Sequence, residues 1–266
     1  MIKKWMFCTL LLAFLQGCMS SSKSIEQQAS NASFNAKETV IKETGDNDKL
    51  ISFYKESLKQ GEDERVRVKL VEAYMQADDL DSASFHYGSL SNNSQFSPQG
   101  LYLKARIEFA KGNADQAISA GLEALEARSP YPEVENLLGM AYASKHDINN
   151  AWRYFYLARK HFFDDVTIKN NLAVIDLMLQ DYQLAISRLE PIYLSGNHDA
   201  TIVANLALAY AKTEQFDAFK GLYRTRYSPR EIEDLYIGLR LVSVAKPDAL
   251  LASNRENELN KAMSSP

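Results

Sequence analysis

Leu50, Phe53, Tyr54 and Leu58 form an apolar stripe at helical spacing that Gly61 closes, which predicts one packing helix. From there the alternation of apolar and polar positions acquires a beat. Ala83, Ala117, Ala151 and Ala185 stand 34 residues apart, and Ala105, Gly139, Ala173 and Ala207 keep the same step, as do Tyr74, Tyr142 and Tyr210. Two antiparallel helices approach closely only where the facing side chains are small, so these positions predict repeated helical hairpins. Leu70, Leu138, Leu172 and Leu206 from the first helices, with Tyr87, Phe155, Leu189 and Tyr223 from the second, fill the flanks. Lys111-Gly112-Asn113 and Lys145-His146-Asp147 fall inside hairpins as turns, and Ser129-Pro130 and Ser195-Gly196-Asn197 fall between them. Ser228-Pro229-Arg230-Glu231 reads as an N-cap, a first-turn proline and a capping glutamate. The helix it opens, through Ile232, Leu235, Tyr236, Leu239 and Leu241, is expected to cover the open end of the stack until Pro247 breaks it.

The 34-residue period with small and aromatic residues at these intervals resembles the tetratricopeptide repeat. The resemblance implies an all-α right-handed superhelix of about four to five hairpins plus a C-terminal capping helix. Departures are expected to make it irregular. Glu108 and Asp176 stand where other repeats place tyrosine, Gly121 where they place leucine or an aromatic, and Phe219 where they place alanine. Pro191 lies within a second helix, where its missing N–H should kink or shorten it. The aromatic stretch Trp152 to Tyr156, with Phe162 and Phe163, reads as core and inter-repeat packing.

The amino terminus follows a different pattern. Lys3 and Lys4 precede the mostly apolar run Trp5 to Leu15, which is too short to span a bilayer, and Gly17 precedes Cys18, the layout of a secretory leader. Leu15-Gln16-Gly17-Cys18 resembles the bacterial lipobox, which implies cleavage before a lipidated Cys18. Cys8 lies in the leader and no cysteine follows Cys18, so no disulfide competes for that sulfur. Met19, in place of an aspartate, implies the outer membrane by analogy with such lipoproteins. The expected organisation is therefore a signal peptide at 1–17, a lipidated disordered tether at 18–46, the repeat domain at 47–246 and a polar tail at 247–266. The tether is polar and serine-rich, and a coil of its length reaches on the order of 30 Å.

Composition supports helices and limits function. Glycine and proline, at 11 and 7 residues, are too scarce for a turn-rich sheet protein. A net charge of -4 argues against nucleic acid as a partner. No nucleotide loop, nucleophile elbow or metal signature is present, and His86, His146, His161 and His198 lack ligand spacing. Asp78-Asp79-Leu80-Asp81 lacks the glycine and closing glutamate of a calcium loop and reads as a turn. The expectation is a non-enzyme without cofactor or small-molecule substrate, apart from the covalent lipid.

First helices of such stacks line a concave face. Their side chains not committed to packing are Tyr102, Arg106, Asn136, Met140, Asn170, Val174 and Met178. Asparagine can satisfy a peptide backbone, and methionine and valine can accept apolar side chains, so an extended or helical peptide is the expected ligand. The alternative, that these residues complete inter-repeat packing, stays open. No lysine-rich groove offers itself to an acidic tail.

The two NLA motifs at Asn171 and Asn205, followed by SPREIE from Ser228, resemble the TadD family, the tetratricopeptide lipoproteins of the tight adherence system that builds Flp-type pili. The similarity is strongest from Lys169 to Arg240. It implies a pilotin-like accessory at the periplasmic face of the outer membrane, with the secretin and other pilus-assembly components as partners. A type IV pilus pilotin with another secretin client, and an adaptor of peptidoglycan hydrolases, are alternative readings.

Overall fold

The computed structural model describes residue 28 and residues 31–243, and among these every regular element is a helix. The expected leader, Cys18 and the tail from Pro247 onward lie outside the described residues. The chain divides into two compact units, up to Ser91 and from Asn92.

The first unit contains α1 (31–43), α2 (Asn47–Gln60), α3 (Glu64–Gln76) and α4 (Leu80–Gly88). The expected disordered tether at 18–46 is corrected over 31–43, which is helical, while its residues 18–27, 29 and 30 lie outside the described residues. Phe34 packs on Phe53 at 4.9 Å between ring centroids, and Glu38 is only 5% exposed, so this segment has a buried face of its own. Helix α2 is therefore not solitary. It pairs with α1 as a hairpin ahead of those on the 34-residue beat.

The second unit contains the short α5 (Asn92–Gln95), then α6 (Pro98–Ala110) with α7 (Ala114–Ala127), α8 (Pro132–Ser144) with α9 (Ile148–Lys160), α10 (Asp165–Met178) with α11 (Tyr182–Leu194), and α12 (Ala200–Lys212) with α13 (Phe216–Tyr223). Helix α14 (Pro229–Leu241) follows as the cap. First helices of the pairs, with α14, are termed A helices and second helices B helices.

Every hairpin turns in the same way. The backbone enters the left-handed region once per turn, at Gly45, Asp78, Gly112, His146, Gln180 and Glu214. The next residue then takes the N-cap position of the second helix, where Asn113 and Gln215 make no side-chain capping bond and the four aspartates do. The carboxylates of Asp46, Asp79, Asp147 and Asp181 accept from the backbone N–H three residues on. From Asp79 onward the N–H of that next residue also reaches back to the carbonyl five residues earlier, at Tyr74, Glu108, Tyr142, Asp176 and Tyr210. This is the Schellman closure, which satisfies a carbonyl the helix leaves open.

The small positions act as expected. Ala83, Ala105, Ala117, Ala151, Ala173, Ala185 and Ala207 are at most 1% exposed. A Cβ on Gly139 would lie 2.5 Å from Phe155 Cδ1, and one on Gly121 would lie 2.8 Å from Leu138 Cδ2. Gly121 thus forgoes its own large side chain to seat a neighbour's. Phe219, larger than the alanine it replaces, is fully buried against Tyr223 and Tyr236.

Two further expectations change. Helix α11 runs through Pro191 to Leu194 without shortening, because Pro191 and Ser187 face solvent, where the unpaired carbonyl can be hydrated. The capping box of Ser228 and Glu231 forms, but α14 ends at Leu241, ahead of Pro247. Ile232 and Tyr236 cover the stack, whereas Leu235 at 38% and Leu241 at 79% exposure point to solvent.

Candidate functional site

The A helices α6, α8, α10 and α12 lie side by side, each separated in sequence by one B helix and therefore parallel to the next. Tyr102 and Arg106 sit on α6, Asn136 and Met140 on α8, and Asn170, Val174 and Met178 on α10. All are half-buried except Asn136, which is 8% exposed. Half-burial is what a groove floor requires, since the side chains are fixed by packing on one side and open on the other.

Several of these residues touch. Arg106 lies over the Tyr102 ring at 5.5 Å, and that ring packs against Tyr131 at 5.4 Å. Asn136 Nδ2 donates weakly to Met140 Sδ at 3.6 Å. Met140 and Met178 pack against one cluster that includes Trp152, Phe155, Leu172 and Ile175.

The asparagines form a ladder between repeats. Asn171 Nδ2 donates to Asn136 Oδ1 at 2.9 Å, and Asn205 Nδ2 donates to Asn170 Oδ1 at 3.0 Å. Each rung joins an A helix to the next and fixes their rotational register. Asn136 is thereby corrected from a ligand-contacting residue to part of the floor, since burial and both amide contacts occupy it. Asn170 keeps a partly open side chain. The asparagine of each NLA motif, Asn171 or Asn205, is the donor of a rung, a role that its position on the 34-residue beat could have disclosed.

The same spacing extends the groove beyond the residues expected from sequence. Leu208 on α12 is in step with Met140 and Val174 and is half-buried, and Ala204 is in step with Asn136 and Asn170 and is exposed. The surface thus runs from a tyrosine and arginine at α6 to a mostly apolar stretch over α10 and α12. It is suited to hold a polypeptide with apolar side chains, with Arg106 as a cation at one end.

Behind this face, a second relation pairs the tyrosine position of α3, α8 and α10 with the residue twelve further on. Tyr74 stacks on His86 at 5.4 Å, and Tyr142 stacks on Tyr154 at 5.5 Å with rings 3° from parallel. Where the sequence departs, Asp176 is fully buried and accepts from Arg188 Nε at 2.6 Å. Tyr210 donates instead to Glu190 at 2.6 Å, and burial, then this hydrogen bond, push its phenol up. In the first unit Glu38 plays a similar part, accepting from Tyr54 Oη at 2.6 Å and pairing with Lys42 at 2.8 Å and Lys69 at 2.6 Å. Burial works to raise the Glu38 carboxyl, but the hydrogen bonds from Lys42, Lys69 and Tyr54 outweigh it and hold it at about 2.

Among the described residues no group of three or more His, Cys, Asp or Glu could hold a metal ion, and no helix is long and apolar enough to cross a membrane. Of the aromatic stretch expected to pack, Trp152, Tyr154 and Phe155 are buried, while Phe162 is 96% exposed. Phe162 is corrected accordingly: its φ of 65° belongs to the left-handed residue that ends α9, and this turns its side chain outward.

No protein-family model matches the chain, and no curated protein matches it. Among solved structures, the chain is similar to one in the crystal structure of the APC/C hetero-tetramer Cut9-Hcn1, with a TM-score of 0.60 and 20% identity. The match covers 85% of this chain and 48% of that one, so this chain spans about half its length. The likeness shows the fold, a tetratricopeptide-type array of helical hairpins.

Proposed function

We propose that this protein is a membrane-tethered scaffold whose A-helix groove holds a segment of a client polypeptide. The observation that carries the reading is the row Tyr102, Arg106, Met140, Asn170, Val174 and Met178, which stays half-open while the hairpin positions around it are sealed. Side chains held in register by an asparagine ladder are preorganised, which lowers the entropic cost of binding a peptide. The tetratricopeptide-type fold supports protein recognition rather than catalysis.

The finer reading is a lipoprotein held through Cys18 at the periplasmic face of the outer membrane. There it acts as a pilotin-like factor for the secretin of a tight adherence pilus system. Its support is the lipobox-like Leu15-Gln16-Gly17-Cys18 and the resemblance carried by the NLA motifs and SPREIE. Deleting the gene is expected to abolish surface pili and to leave the secretin unassembled or misplaced, read by immunoblot of heat-resistant secretin multimers. Normal multimers in the deletion strain would remove the secretin role. Cys18→Ser is expected to release the protein from the membrane fraction, and its retention there would remove the lipid anchor.

A further inference from the structure

The two asparagine rungs differ in what they leave open. Between α10 and α12, Asn205 Nδ2 donates to Asn170 Oδ1 at 3.0 Å, which engages one group of each amide. Asn170 Nδ2 and Asn205 Oδ1 have no hydrogen-bond partner among the described residues. Neither is sealed from solvent, because the one side-chain nitrogen or oxygen both buried and unpartnered among those residues is Trp152 Nε1. A donor and an acceptor are therefore left open on two amides already joined to each other, both half-buried. Between α8 and α10, both groups of Asn136 are engaged, by Asn171 at 2.9 Å and by Met140 Sδ at 3.6 Å, so only Asn171 Oδ1 is left.

Packing does not require these amides. On the 34-residue beat, the two positions of the rung are held between α6 and α8 by Tyr102 and Leu137, which meet in one apolar cluster. That junction forms without a polar pair, so register alone does not account for asparagine at 170 and 205. A partly hydrated amide pair also adds little stability, since its hydrogen bond replaces bonds to water.

We propose that the Asn170–Asn205 rung binds the main chain of an extended client segment, with Asn170 Nδ2 donating to the carbonyl of one residue and Asn205 Oδ1 accepting from its N–H. This rests on the groove reading and narrows it to one conformation of the client. A residue in an extended strand turns its N–H and C=O to the same side, the arrangement by which paired residues of neighbouring strands exchange two bonds. In an α-helix both groups are committed along the axis to residues four away, so a helical client has nothing to offer the rung. Val174 and Leu208 lie one turn further along α10 and α12 and are half-buried, placed to take apolar side chains of the same segment. The amides thus read the conformation of the chain and the apolar residues its sequence.

The test combines Asn170→Asp with photo-crosslinking in the native envelope from a photoreactive residue at Val174. The change keeps an oxygen for Asn205 Nδ2 and removes only the outward donor. The denaturant midpoint is therefore expected to hold while the adduct from position 174 falls about tenfold, the effect of one unmet hydrogen bond. An undiminished adduct overturns the main-chain contact and leaves the groove reading standing, whereas no adduct in the parent chain removes both. A second measurement does not depend on how the variant folds. The client segment mapped in the parent adduct is synthesised with each amide in turn replaced by an ester, which removes one N–H and keeps every side chain. Binding to the full-length parent chain is expected to weaken about tenfold at one or two positions. No loss at any position, or a similar loss at all of them as a helical ligand gives, overturns the proposal.

Discussion

The neighbouring hairpins α8–α9 and α10–α11 fill one architectural position with opposite chemistry. In the first, Tyr142 and Tyr154 stack. In the second, the same two positions hold Asp176 and Arg188, an ion pair whose carboxylate is fully buried. The difference teaches that the repeat requires the space to be filled and its polar atoms satisfied, and leaves the residue types open. It also divides the array into hairpins sensitive and insensitive to loss of a single group. A tyrosine that loses its partner keeps its apolar body, whereas Arg188 without Asp176 is left charged with little water around it.

That contrast can be broken deliberately. Asp176→Ala is expected to cost about 3–5 kcal/mol in the α10–α11 hairpin. The loss should appear as reduced amide hydrogen-exchange protection there, with α8–α9 less affected, because repeat arrays open locally. The double change Asp176→Tyr with Arg188→Tyr, which transplants the stack, should recover most of that loss. A double variant as unstable as the single one would show that the two fillings are not equivalent.

Acid sharpens the comparison in the first unit. Glu38 is held at about 2, below its ordinary 4.5, so its contribution is complete above about pH 4.5 and fades as pH falls towards 2. Up to about 3 kcal/mol is lost over that window. The α1–α2 hairpin should therefore open on acidification, measured by exchange at the Tyr54 amide, and Glu38→Gln should remove most of this pH dependence. The Gly139–Phe155 and Tyr142–Tyr154 contacts contain no carboxylate to protonate.

Smaller effects test the packing and the turns. Gly139→Ala places a methyl group against the Phe155 ring and is expected to cost about 1–3 kcal/mol, seen as a lower denaturant midpoint. His146→Gly and Gln180→Gly remove the strain of a left-handed non-glycine residue. Each should stabilise its hairpin by about 1 kcal/mol, read in the same titration.

The sequence disclosed the array because alanine and glycine at a fixed interval have one simple physical reading, close helix approach. It concealed α1 because the position facing Tyr54 holds Glu38, a residue that reads as solvated until its partners Lys42, Lys69 and Tyr54 are seen together. The turn rule was partly visible at Gly112 and Gly45. At Asp78, His146, Gln180 and Glu214 the left-handed backbone has no residue signature, and the aspartates that follow were the better signal. In the groove, periodicity placed Met140 and Val174 on one face but could not tell an open asparagine from a hydrogen-bonded one. Asn136 and Asn171 are adjacent only because the two A helices pack with a stagger of one residue.

The central claim is that the A-helix face over α8, α10 and α12 holds a client polypeptide, and site-specific photo-crosslinking in the native envelope tests it most directly. With a photoreactive residue at Val174 in one strain and at His146 in another, the account predicts a discrete adduct from position 174, identified as the secretin, and none from 146. Equal adducts at both positions, or none at 174 in cells making pili, would contradict it.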